Sequence, residues 1–278
     1  PQQWDDAEDP DTITLPVAVV STPDTPADAT PVVYLEGGPG GDALSLLWLV
    51  WGDQWEGIAA DRPVVFFIQR GGAGTTVELE CEELTEYDLD TLDDPVGTDE
   101  LTGGSLDVLA DCANRLAEEG ADFSAYHTVA SAHDVDALRQ ALGFDQWSVV
   151  GVSYGTRLGQ EVLRLHPGGV ARMVLDSVMP TDLDQGSLRR VPETARRSLD
   201  LVFAACAADA ACSGAYPDLE ARFAAVLAEL DSEAVETEIL HPLSGESYTV
   251  NINGDDFLGL VFQSLYFRSG LAAIPEMV

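Results

Sequence analysis

The stretch Val149-Val150-Gly151-Val152-Ser153-Tyr154-Gly155-Thr156 constrains this chain more than any other. An apolar run, Trp147 to Val152, reads as a strand, and Thr156 to Leu163 reads as a helix. Gly-x-Ser-x-Gly joins them with no room for a loop. Strand and helix pass close together at such a turn, so small residues are needed two before and two after the serine. The serine is left at the tip of the turn. The helix N-terminus adds a backbone N–H, from Tyr154, aimed where negative charge would develop.

A second segment repeats the pattern of a strand running into glycines. It is Pro31-Val32-Val33-Tyr34-Leu35-Glu36-Gly37-Gly38-Pro39-Gly40-Gly41, followed by a helix-like stretch from Ala43 to Trp51. Glycines let a backbone approach another group with no Cβ in the way. Alone, the segment is equally well a plain Gly/Pro turn. With a serine turn downstream, Gly37 and Gly38 become candidates to donate the second N–H to the same developing charge.

Strand and helix patterns alternate from Thr12 to Met179, which argues for a mostly parallel α/β sheet flanked by helices. Val17 to Val20 and Arg62 to Ile68 read as further strands. Leu106 to Glu119 and Ser131 to Leu142 read as amphipathic helices, and Thr91 to Gly104 as an acidic surface loop. After Pro180 the pattern changes. Leu188 to Ala207, Leu219 to Leu230 and Asp255 to Phe267 are helical by period, with a short strand at Tyr248 to Ile252. We therefore expect a core over residues 1–180 and a mostly helical cap over 181–278. The chain of 278 residues, 46 % hydrophobic, can bury a large core.

Three signatures in order now resemble a family. Leu35-Glu36-Gly37-Gly38-Pro39-Gly40, Gln69-Arg70-Gly71 and Gly151-Val152-Ser153-Tyr154-Gly155-Thr156 are similar to the series found in prolyl aminopeptidase-like serine hydrolases, peptidase family S33, and especially in their secreted tripeptidyl aminopeptidase branch. Cys112 to Leu116, Asp134 to Arg139 and Val174 to Pro180 resemble that branch too. The likeness covers about residues 31 to 216. It implies an α/β-hydrolase core with a helical cap and an acyl-enzyme on Ser153. The oxyanion would be held by the N–H of Tyr154 and of Gly37 or Gly38, and short peptides would be released from amino termini. Three positions depart from the pattern: Glu36 stands where the family usually has His, Ile68 where it has Asp, and Ala73 where it has a second Gly. By the same resemblance Arg70 braces loops rather than touching substrate.

In this fold the triad order is Ser, then Asp or Glu, then His. The four histidines are His127, His133, His166 and His241. The first two precede Ser153, and His133 reads as a surface or capping residue at a helix start. His166 ends the helix after Ser153, where a cation suits the dipole. His241 lies in a turn between two short strands and is the residual candidate for the base. Asp176, after the strand Val170 to Leu175, is the residual candidate for the acid; a loop-anchoring role is the alternative. We expect the triad Asp and His to lie outside this chain. The chain would then be the N-terminal part of a longer hydrolase, completed by further polypeptide or by a second chain that covers the strand Val170 to Leu175. An aminopeptidase also needs carboxylates for the substrate's ammonium, and Glu193, Asp182, Asp184 and Asp255 are candidates by location. The competing readings are a carboxylesterase or lipase of the same fold and a non-catalytic or incomplete hydrolase-fold protein.

The four cysteines suggest an oxidising compartment, with Pro1 as a mature start and a secreted, extracellular location. Cys206 and Cys212 flank a short alanine-rich turn. Four cysteines allow three connectivities; the resemblance implies Cys206 with Cys212 and Cys81 with Cys112. No clustered ligand pattern calls for a metal, and no cofactor is expected. The charge is extreme, with 13 basic against 49 acidic residues and a net of −36. All the basic residues are arginine. Such a surface repels nucleic acid and anionic membranes; the resemblance, not the charge, implies a peptide substrate as the partner. Adaptation to high salt or a GC-rich genome accounts for the acidity. No apolar run is long enough to span a membrane.

Overall fold

The computed structural model describes residues 2–4, 12–50, 53–94, 98–182, 191–241 and 244–278. The chain divides into two compact units. One holds Pro1–Cys81 and Ala113–Asp184, the other Glu82–Cys112 and Gln185–Val278.

The first unit is built on β-branched, apolar runs. β1 (Val17–Val20), β2 (Val32–Leu35), β3 (Val64–Phe67), β4 (Trp147–Val152) and β5 (Val170–Asp176) form one sheet in the order β1-β3-β2-β4-β5. β1 is antiparallel to β3; all other pairs are parallel. β2 and β4 lie side by side, with Leu35 opposite Gly151. This register brings the glycines after β2 beside the serine after β4.

Parallel strands need cover on both faces, and β3 is buried at all four positions. On one face Val33, Leu35, Val65 and Val149 pack against residues of α5 (Thr128–Ala141) and α6 (Tyr154–Leu165). On the other, Val32, Val64 and Phe66 pack against residues of α1 (Ala43–Val50) and α2 (Asp53–Asp61). Tyr34, Trp55 and Phe66 add mutual edge and tilted ring contacts there. β5 is an edge strand with Val174 61 % exposed.

The second unit is mostly helical. α7 (Val191–Ala208), α9 (Leu219–Ser232) and α10 (Gly254–Ser264) gather Leu199, Phe203, Leu219, Phe223, Phe257 and Val261 into a core. α8 (Ala210–Ala215) and α11 (Arg268–Ala273) are short. β6 (Val235–Leu240) and β7 (Ser247–Ile252) form an antiparallel hairpin.

Two expectations need correction. The division is not a single cut after residue 180, because Glu82–Cys112 groups with the C-terminal residues. Hydrogen bonding accounts for this: Asn251 N–H donates to Leu92 O at 2.8 Å, and its side chain reaches Asp93 O. Nor is Thr91 to Gly104 one acidic loop. α3 (Glu82–Asp90) precedes it, and α4 (Thr98–Glu118) already includes Gly103 and Gly104. The Tyr87 hydroxyl lies so close to Gly104 that a Cβ there would collide with it. The glycine is thus a packing site rather than a helix end.

Disulfide chemistry is present in both segments that carry cysteine. Cys206 and Cys212 are bonded to each other, Cys81 and Cys112 are also half-cystines, and no cysteine is free.

Candidate active site

β4 ends at Val152, and α6 begins at Tyr154. Ser153 makes the whole turn between them, at φ 53° and ψ −120°. A non-glycine residue held in a sparsely populated region costs about 1–3 kcal/mol, and surrounding structure must over-determine it. Here it does. A Cβ on Gly155 would collide with the carbonyl of Leu35, and one on Gly151 with the carbonyl of Gly155. Gly37 lies against the serine, since its Cβ would sit 3.1 Å from Ser153 Cβ and 3.6 Å from Oγ. Three glycines therefore surround the turn.

Hydrogen bonds fix the turn to the neighbouring strand. Ser153 N–H donates to Asp176 O at 3.0 Å, extending the β4–β5 ladder by one step. The Thr156 hydroxyl, fully buried, donates to Ser153 O at 2.6 Å and accepts from Met179 N–H at 2.7 Å. Gln160 Nε2 donates to Met179 O at 2.9 Å. The segment after β5 is thereby laced to the first turn of α6.

Two segments carry the candidate backbone donors: the start of α6 and the loop after β2, whose Gly37 lies against Ser153. Tyr154 N–H is at the first helical position, where no intrahelical acceptor exists. In the loop after β2 the structure separates the two glycines that the sequence left equivalent. Gly37 N–H donates to Glu36 Oε1 at 2.7 Å, so it is already engaged and does not serve as the free donor. Gly38, at φ +105°, carries no hydrogen bond from its N–H among the described residues. Of the candidate donors, the N–H groups of Tyr154 and Gly38 make no hydrogen bond among the described residues.

The loop is braced from below. Gln69 Nε2 donates to Glu36 O at 2.9 Å. Arg70 is buried; its guanidinium makes a bidentate pair with Asp134 at 2.7 Å and also donates to Gln2 O and Ala125 O. The bracing role expected of Arg70 is what the geometry shows. Ile68 is buried with its Cγ2 against Gly72, whose own N–H donates to Gln69 O, so an apolar residue fills that place in the turn.

Asp176 is exposed and accepts from Ser177 Oγ at 3.1 Å. His127 caps α5, with Nδ1 accepting from Ala130 N–H at 3.1 Å. His166 closes the far end of α6, about 20 Å from Ser153 at the helical rise of about 1.5 Å per residue. His133 is not the surface or capping residue expected. It is half-buried, 3.0 Å from His166 Nε2 through its Nδ1 and stacked near Trp4, because the end of α6 folds back against α5. His166 Nδ1 in turn lies 3.3 Å from Asp136. Burial, and then the neighbouring His166, hold the His133 pKa below its ordinary value. In the second unit, His241 Nδ1 accepts from Ser244 N–H at 3.1 Å and so closes its own hairpin turn. Asp182, Glu193 and Asp255 are exposed, and Asp184 lies outside the described residues. Among the described residues no histidine hydrogen-bonds to Ser153, and no group of His, Cys, Asp or Glu is arranged to hold a metal ion. No described helix is long and apolar enough to cross a membrane.

Sequence reasoning missed the Glu36 carboxylate, the Thr156 hydroxyl and the His133–His166–Asp136 cluster. Thr156 could have been suspected, as a hydroxyl three residues after a strained turn can reach back to the carbonyl. The histidine cluster left no local signal.

Comparison with known proteins agrees with this geometry. Residues 30–209 match the sequence model of the family described as alpha/beta hydrolase fold. Tripeptidyl aminopeptidase of Streptomyces lividans is 32 % identical over 158 residues, which are 55 % of this chain and 29 % of that protein. Serine protease Hip1 of Mycobacterium tuberculosis is 27 % identical over 221 residues, 76 % of this chain and 42 % of that protein. The chain thus spans less than half the length of either relative. Among solved structures, a putative epoxide hydrolase from Pseudomonas aeruginosa is 17 % identical with a TM-score of 0.39, covering 95 % of this chain and 65 % of that one. With the matched region containing both the serine turn and the glycine loop, the chain belongs to the α/β-hydrolase family.

Proposed function

We propose that this chain is the nucleophile-bearing part of a secreted serine peptidase of family S33 that releases short peptides from amino termini. The observation that carries the reading is Ser153, held at positive φ in a strand-to-helix turn enclosed by Gly37, Gly151 and Gly155. The tripeptidyl aminopeptidase and Hip1 likenesses support a peptidase. Disulfide-bonded cysteines support an oxidising location.

In this mechanism Ser153 Oγ attacks the scissile carbonyl while a histidine removes its proton. The carbonyl oxygen takes the negative charge and is held by the two backbone donors. Collapse expels the amine, which takes the proton back from the histidine, and water then releases the acyl group by the same steps. The four histidines described above have other duties, so the base and its acid partner come from polypeptide outside these residues.

Labelling of the protein with a fluorophosphonate, with Ser153→Ala as control, tests the nucleophile. We expect labelling that the substitution abolishes. Cleavage of a tripeptide anilide with a free amino terminus, and none of its acetylated form, is the expected specificity. Equal cleavage of both would favour an esterase-type enzyme. A folded, complete protein that resists the probe would make it a non-catalytic member of the fold.

A further inference from the structure

Glu36 is a buried acid in the glycine loop beside the candidate site. It is 9 % exposed, its Oε2 is buried, and that oxygen has no hydrogen-bond partner among the described residues. A buried acceptor left unpaired is destabilising, and more so when charged. The pKa of the Tyr34 hydroxyl, two residues back, is raised first by its own burial, then by the charge of the Glu36 carboxylate and by a hydrogen bond to it.

What the carboxylate does is local and geometric. Oε1 takes Gly37 N–H at 2.7 Å. Gln69 Nε2 holds the Glu36 carbonyl, and Gly41 N–H donates to Gly37 O at 3.3 Å. A Cβ on Gly41 would sit 2.6 Å from Glu36 Cγ, so the side chain lies under the loop and not on its outer surface. Residue 37 is thus held at both its N–H and its carbonyl, and Gly38 N–H is the next donor along the chain.

We propose that Glu36 is a positioning residue for acyl transfer: by holding Gly37 N–H it sets the peptide that follows, so that Gly38 N–H is presented to the oxyanion beside Ser153. The inference rests on the serine-hydrolase reading above. An oxyanion donor acts only when fixed at the place where charge develops. Releasing Gly37 frees a run of glycines with no other side chain to hold it. Hydrogen-bond acceptance, not charge, is the property used, because a negative charge next to an oxyanion opposes its formation.

The test compares Glu36→Gln, which keeps an acceptor for Gly37 N–H, with Glu36→Ala, which removes it. Both are made in the whole protein. We expect Glu36→Ala to lower kcat about 100-fold with little change in KM, the size associated with misplacing a catalytic group by about 1 Å. Glu36→Gln should restore most of kcat. Amide hydrogen exchange gives a readout apart from turnover: at Gly37 it should rise in Glu36→Ala and not in Glu36→Gln. Unchanged kcat in Glu36→Ala, unchanged exchange at Gly37, or equal damage by both substitutions overturns the inference while leaving Ser153-dependent labelling intact. Absence of that labelling in the unsubstituted protein removes the hydrolase reading itself, and the catalytic role of Glu36 with it.

Discussion

Ser153 and Asp218 have nearly the same φ, 53° and 55°, yet they sit in opposite kinds of surroundings. Asp218 is an ordinary left-handed residue, with ψ 41°, at the start of α9 in the helical unit. Ser153 has ψ −120°, outside that basin, at the end of a buried strand. The helical unit tolerates left-handed backbone where little constrains it. The sheet unit enforces a costlier conformation by contact with Leu35, Gly37 and Gly155. Strain of this kind persists only where packing leaves no alternative, so the strained serine belongs to the part of the molecule with β3 buried at every position rather than to the part whose β6 is exposed throughout.

The largest effect should follow from adding one methyl group to the sheet unit. Gly155→Ala places a Cβ in the Leu35 carbonyl, which is backbone and cannot turn away. A loss above about 4 kcal/mol is expected, the range reached only by strain or core disruption. Urea unfolding of the purified variant measures it; a near-normal midpoint would mean that the turn is looser than described. In the helical unit, a comparable loss should require deletion of a whole ring. Phe223 contacts Phe203 and Phe257 at ring distances of 5.5 and 5.4 Å, and Phe223→Ala should cost about 3–5 kcal/mol. If it costs less than 1, the three rings do not form a packed core.

Asn253 tests the same unit at its periphery. Its side chain accepts from Asp255 N–H and Asp256 N–H, and Asp256 closes the capping box. Asn253→Ala should lower stability by about 1 kcal/mol, read as a shift in thermal midpoint. The smallest effect is expected at the histidine pair of the sheet unit. The folded state holds the His133 pKa below its ordinary value near 6.5. Below that value the unfolded chain binds a proton that the folded one resists, so stability falls as pH drops through about 6.5 and levels off below the depressed folded value. Thermal midpoints at pH 7.5 and 5.5 should differ less in His133→Gln than in the unsubstituted protein. Equal differences would mean that the pair is not the acid-sensitive element.

Much of the sheet unit was readable because its rules are short-range. Val64 to Phe67 and Trp147 to Val152 are unbroken apolar runs, and Gly151 and Gly155 mark where a strand meets a helix. The cap helices showed their period for the same reason. The first turns of α4 could not be read. Gly103 and Gly104 suggest a break, yet a helix runs through both, with the ring of Tyr87, seventeen residues earlier, packed against Gly104. The grouping of Glu82–Cys112 with the C-terminal residues depends on a bond between Asn251 and Leu92, which no local pattern announces.

The chain's order of residues by itself determined the fold class, the turn that presents Ser153, and the candidacy of Tyr154, Gly37 and Gly38. Each is encoded within a few positions, by side-chain size and by apolar spacing. Only the tertiary structure decided that Gly38 rather than Gly37 has the free N–H, that Asp176 meets Ser153 through its carbonyl, and which hydrogen bonds His127, His133, His166 and His241 make. Those outcomes turn on which polar groups satisfy one another after the chain has closed, and such pairings join residues that the sequence keeps far apart.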